Sequence, residues 1–209
     1  MTRTIHAILT VFIVGSLFNS GQAASQSELP YELSSETDLP LLASSALLFG
    51  LGLWADGQSD LNRPFILEEV QTLDPSDINT FDRSATSRYS PKAAKISDIF
   101  MYSSVVAPLS LTLTETGSKE PLTVTAMHLE TLLLNGGVTY LMKNLFRRTR
   151  PFVYNDDPRI PDSLRLSRTA RRSFPSGHTS TAFASMVFLA TVYGKMNPDS
   201  DSRNWVWAG

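Results

Sequence analysis

Four apolar stretches of helical length divide this chain, and each is bounded by residues that open or break a helix. They run from Leu39 to Ala55, from Pro91 toward Leu113, from Leu122 to Phe146 and from His178 to Met196. Ser90-Pro91 has the residue types of an N-cap followed by a first helical position. Gly117-Ser118 ends the second stretch, Pro121 opens the third, and Asn197-Pro198-Asp199 breaks the fourth. No segment sustains the two-residue alternation of a strand, and no internal repeat is visible. The expected fold class is therefore all-α, a helical bundle, with Gly136-Gly137 permitting a close helix contact or a kink. On the fourth helix Phe183, Met186, Val187 and Ala190 share a face.

The 209 residues, 42% hydrophobic and 18% charged, suit one folded domain over 39–209. Arg3, the apolar run Ile5 to Phe18 and the small residues to Ala24 have the layout of a secretory signal peptide over 1–24. An uncleaved anchor helix is the alternative reading of the same residues. Residues 25–38 read as a flexible polar segment. The expected location is periplasmic, free or docked on a membrane, with an integral inner-membrane protein as the alternative. Leu39 to Ala55 is about 17 residues long, the lower limit for a membrane helix, and fits a span or a docked helix equally. Asp98, His128, Glu130 and Asn135 lie within the later stretches, which suits a water-soluble or membrane-docked core better than spans. There are no cysteines, so disulfides and thiolate chemistry are excluded.

Charge is distributed unevenly. Lys143 to Arg172 carries nine of the eighteen Lys and Arg residues and three acids, while the net charge is −2. A basic block on a slightly acidic chain argues for a local anion site rather than nucleic-acid binding, and no aromatic residues interleave Arg159 to Arg172. Lys143, Arg147 and Arg150 are spaced to share one face of a helix end and could neutralise phosphate oxygens. A solvated helix end is the competing reading of charge alone. Pro175-Ser176-Gly177-His178 then opens the fourth helix. Gly lets an oxyanion approach the backbone, Ser offers an N–H and a hydroxyl, and His can donate a proton near neutral pH. Pro151 to Ser173 has no periodicity and is expected to be a loop over this site. Asp56 to Asp77 reads as mostly loop, with Asp77 capping a short helix that holds Ile78, Phe81 and Ala85. Asp82-Arg83 is expected to form a local ion pair, Asp156-Asp157 to face water, and His128 to be satisfied by a partner within its helix. Trp54, Trp205 and Trp207 read as packing or interfacial anchors.

Together, Lys143, Arg150 and Pro151 followed by Pro175, Ser176, Gly177 and His178 resemble the signature of the type 2 phosphatidic acid phosphatase superfamily. That superfamily includes bacterial acid phosphatases, lipid phosphate phosphatases, glucose-6-phosphatase and vanadium haloperoxidases. The resemblance implies an α-helical bundle in which Lys143, Arg150, the Ser176 hydroxyl and the Gly177 N–H hold phosphate. It makes His178 the general acid and implies no metal and no cofactor for phosphate hydrolysis. The implied partners are a phosphorylated small molecule or lipid and no nucleic acid; the oligomeric state is not implied.

The family's third motif, S-R-x5-H-x3-D, carries the nucleophilic His, and no His follows His178 in this sequence. The expectation is a C-terminally incomplete phosphatase, working through a phosphohistidine when full-length and inactive as this chain alone. A vanadium-dependent haloperoxidase and a non-catalytic phosphate-binding pseudo-enzyme are the alternatives.

Overall fold

A computed structural model describes residues 29–58 and 62–208. The expected signal peptide over 1–24 lies outside the described residues. Five helices dominate: α1 Asp38–Gly57, α2 Pro91–Val106, α3 Pro121–Phe146, α4 Gly177–Met196 and α5 Ser202–Ala208. No strand occurs among the described residues, and the chain is all-α.

The helix ends follow local chemistry. Ser90 caps α2, its Oγ accepting the Ala93 N–H at 3.2 Å, and Pro91 occupies the first helical position. Pro108 cannot donate an i→i−4 bond, and the chain tightens into a 3-10 helix over Ala107–Leu113. Pro121 opens α3, which ends when Arg147 adopts a left-handed conformation with φ of 47°. Ser176 caps α4 through Thr179 N.

The longest seam joins α1 to α3, and it depends on glycine. A Cβ on Gly137 would come within 3.0 Å of Leu48 Cβ and 3.1 Å of the Ser45 carbonyl. On the other side of the seam, a Cβ on Gly52 would lie 2.5 Å from the Tyr140 ring. Of the two outcomes expected for Gly136-Gly137, close contact is the one realised, within an unbroken helix.

The chain alternates direction along the bundle. Asp56 at the end of α1 bonds Tyr140 near the end of α3, and Asp98, midway along α2, bonds His178 at the start of α4. The core between the helices gathers Leu29, Leu111, Val124, Phe188 and Val192. His128 is buried there, its ring 4.9 Å from that of Phe188, with Nε2 bonded to the Val105 carbonyl at 3.0 Å. Its partner is thus on α2 rather than on its own helix. Burial holds its imidazole below the usual histidine range.

Several expectations are corrected. The α4 face read from the sequence is split, since Phe183 is 72% exposed whereas Ala190 is buried with Ser185, Phe188 and Val192. The segment 56–77 holds a short helix, Leu67–Gln71, and a 3-10 turn, Pro75–Asp77. Asn79, not Asp77, caps the next short helix, Thr80–Arg83, because its Oδ1 sits within reach of Asp82 N at 3.0 Å. Phe81 projects outward from that helix.

α2 is not a core helix: Ile99, Phe100, Tyr102 and Val106 are all exposed. Both α1 and the 91–113 stretch are long and apolar enough to cross a membrane, and most of each lies on the outside of the bundle.

Candidate functional site

The connection from α3 to α4 is a packed structure rather than an open loop. Three helical turns, Pro151–Tyr154, Asp162–Arg165 and Arg168–Arg171, bring Val153 and Ala170 against Phe65 in a small second core. Arg150 N–H donates to the Ala170 carbonyl at 2.8 Å and Ser173 N–H to the Arg148 carbonyl at 2.8 Å. These two bonds pin the ends of the connection together, so the segments around Arg150 and Ser173 are neighbours beside α4.

Most of the basic block is occupied with holding this structure. Arg148 pairs with Asp82 at 2.5 Å, so Asp82 bonds across the fold rather than to Arg83, which instead donates to the Ser76 and Ile78 carbonyls. Arg159 pairs with Asp157, leaving only Asp156 of that acidic pair exposed to water. Arg165 donates to the Asp157 carbonyl. Arg171 pairs with Glu69 at 2.8 Å and lies 3.6 Å over the Phe65 ring. Arg147 is diverted too. The helix has ended before it, its Nε donates to the Asn144 carbonyl, and the expected helical triad with Lys143 and Arg150 does not form.

Of the rest, Arg168 is exposed, and Lys143, Arg150 and Arg172 converge. Burial, then the positive charges of Arg150 and Arg172, hold the Lys143 ammonium below the usual lysine range. Burial lowers Arg150 as well, and its Nε is buried without a partner. The Lys143 ammonium reaches the Arg172 carbonyl only at 3.5 Å. Among the described residues, no carboxylate is within ion-pair distance of Lys143 or Arg150. The single acid of the group is Asp56, which pairs with Arg172 and accepts the Tyr140 hydroxyl at 2.9 Å. Half-buried cations that repel one another lack a counter-charge, and an anion would supply it.

The start of α4 faces this cluster. A Cβ built on Gly177 would stand 3.7 Å from Lys143 Cε and 3.8 Å from its Nζ. The free N–H groups at a helix N-terminus therefore lie beside a lysine ammonium, an arrangement suited to a tetrahedral oxyanion. Lys143, Arg150 and Gly177 are thus brought to one place. Ser176 lies at the same helix end, with its Oγ engaged by Thr179 N–H and Thr179 Oγ1. The His178 ring is turned to Asp98, its Nε2 2.7 Å from Oδ1. Among the described residues, no group of three or more His, Asp and Glu could hold a metal ion.

Residues 125–208, which contain Lys143, Arg150 and the Pro175–His178 turn, match the family model described as PAP2 superfamily. This segment belongs to the PAP2 superfamily. No curated protein and no solved structure matches the chain. The PAP2 segment begins within α3, so α1, α2 and the 56–90 connection supply contacts to it from outside the matched residues. Four polar residues at this end of the bundle escaped the sequence reading: Asp56, Asp98, Tyr140 and Arg172. Arg172 was visible only as one more cation in a basic run. The two acids lie over 40 residues upstream of Lys143, and no local pattern ties them to it.

Proposed function

We propose that this protein is a phosphatase of the PAP2 type, acting on phosphate monoesters or lipid phosphates. The convergence of Lys143, Arg150 and the Gly177 backbone, a cationic cluster without its own counter-anion, carries this reading. Lys143 and Arg150 neutralise the phosphate oxygens, and the Gly177 N–H and the Ser176 hydroxyl complete the cradle. Ser176 Oγ accepts from Thr179, which leaves its own O–H to donate to a ligand oxygen while the cap of α4 is kept. Fixed donors of this kind usually supply the largest share of catalysis, and loss of one costs about 10²–10³ in rate. His178 acts as general acid toward the leaving oxygen.

Catalysis then proceeds by histidine attack on phosphorus. The bond from phosphorus to the ester oxygen breaks, the leaving alkoxide takes the His178 proton, and water hydrolyses the phosphohistidine. The sequence after His178 contains no histidine, so this nucleophile is not among residues 179–209. The outward apolar faces of α1 and α2 support docking on a membrane, which favours a phosphorylated lipid over a soluble ester as substrate.

The test is direct. Purified protein comprising residues 1–209 should bind orthovanadate competitively with phosphate and leave p-nitrophenyl phosphate intact. Turnover of that ester would refute the requirement for a further histidine. Failure to bind either anion would refute the phosphate site, and peroxide-dependent bromination after vanadate loading would favour a haloperoxidase instead.

A further inference from the structure

The proposed cradle explains Lys143, Arg150, Ser176 and Gly177, but not the contact made by the acid itself. His178 Nε2 lies 2.7 Å from Asp98 Oδ1 across the α2–α4 interface, 80 residues away in sequence. Asp98 stands one turn after Lys95 on α2, at a spacing suited to an ion pair within the helix. Its Oδ1 nevertheless takes the imidazole of another helix. The two side chains are 51% and 46% exposed, and pairs so open to water add little to stability. The contact therefore acts mainly on the ring rather than on the fold.

A histidine has two unlike nitrogens, and the bond made by one decides what the other can do. A carboxylate accepts only, so Nε2 must carry the hydrogen in this contact. Gly177, the residue before His178, faces Lys143, so His178 is held between the cationic cluster on its backbone side and Asp98 on its ring side. We infer that Asp98 is a positioning residue for His178: it fixes Nε2 as the bound N–H and leaves Nδ1 as the nitrogen that exchanges a proton with substrate.

This assignment rests on the phosphatase reading above. As the bond from phosphorus to the ester oxygen breaks, the Nδ1 proton passes to the leaving alkoxide. The ring becomes neutral with Nε2–H still on Asp98. When water attacks the phosphohistidine, its oxygen bonds to phosphorus as the phosphorus–nitrogen bond breaks, and one of its protons returns to Nδ1 and restores the starting state.

Imidazole ¹⁵N spectra of the full chain test the assignment, with only His6, His128 and His178 to resolve and His178→Gln to assign the third. In the neutral His178 ring of the wild type, Nε2 should be protonated and Nδ1 bare. Asp98→Ala should lose this fixed form and give the averaged signals of two exchanging tautomers. Asp98→Glu, with a carboxylate on the same helix face, should retain it. Unchanged signals from buried His128 will certify that each variant is folded. Orthovanadate added to the wild type should shift Nδ1 more than Nε2. An Nδ1–H or mixed tautomer in the wild type, or an unchanged tautomer in Asp98→Ala, would overturn the role of Asp98. A fixed tautomer that is lost in Asp98→Ala but ignores vanadate would instead overturn the phosphate reading of the site.

Discussion

At the scale of single residues, two of the three central cations, Lys143 and Arg172, have opposite consequences for stability. Lys143 is half-buried against two guanidiniums without a carboxylate, so its charge is a burden to the empty protein. Lys143→Met should leave thermal stability unchanged or raised in anion-free buffer. It should weaken orthovanadate binding about 10- to 100-fold, the worth of one charge-assisted hydrogen bond. Arg172→Met has the reverse effect, because it strands the Asp56 carboxylate. Calorimetry should record a loss of about 1–3 kcal/mol in stability, the cost of a partly buried polar group left unmade. Motif spacing made Lys143, Arg150, Ser176, Gly177 and His178 legible in sequence as candidates. The acids around them were not, because Asp98, which bonds His178, and Asp56, which bonds Arg172, come from helices far away along the chain. Arg147 misled, since equal spacing along a helix counts only while the helix lasts.

Helix order and ends were largely legible, since Ser90-Pro91, Pro121 and Asn197-Pro198 act through their own backbone chemistry. The inward faces were harder to read. α4 is apolar nearly all round, so composition could not tell exposed Phe183 from buried Phe188. The connection between α3 and α4 lacks periodicity because its order comes from Arg171 on Phe65 and Glu69, contacts more than 100 residues apart in sequence. Glycine on α1 offers a test at this scale. Gly52→Ala drives a methyl into Tyr140, whose hydroxyl is tied to Asp56, and should cost about 1–3 kcal/mol as overpacking. Gly50→Ala, with nothing within 4 Å, should stabilise the same helix by about 0.5–1 kcal/mol. Thermal melts of the two variants should move in opposite directions.

For the whole molecule, the bundle has a charged end and apolar sides. Vesicles of neutral phospholipid should sediment the protein, and high salt should not release it if α1 and α2 make the contact. Replacing Phe100 and Leu113, 71% and 84% exposed, with serine should weaken this binding. The interior adds a pH dependence. Glu130 is 6% exposed, and burial, reinforced by the Asp38 charge, raises its carboxyl from 4.5 to about 7. The fold thus favours the protonated acid, so stability should fall as pH rises from about 4.5 to about 7 and then level off. Glu130→Gln should remove up to about 3 kcal/mol of this penalty, and its advantage over the wild type should shrink toward pH 5. All of this surrounds one claim, that the bundle end is an oxyanion site built from Lys143, Arg150 and the start of α4. Calorimetric titration of the purified chain with orthovanadate tests it most directly, alongside Lys143→Met and Gly177→Ala. One equivalent should bind the wild type, and each substitution should weaken it at least about tenfold while the helical spectrum is unchanged. Absence of binding, or equal affinity in all three proteins, would contradict the account.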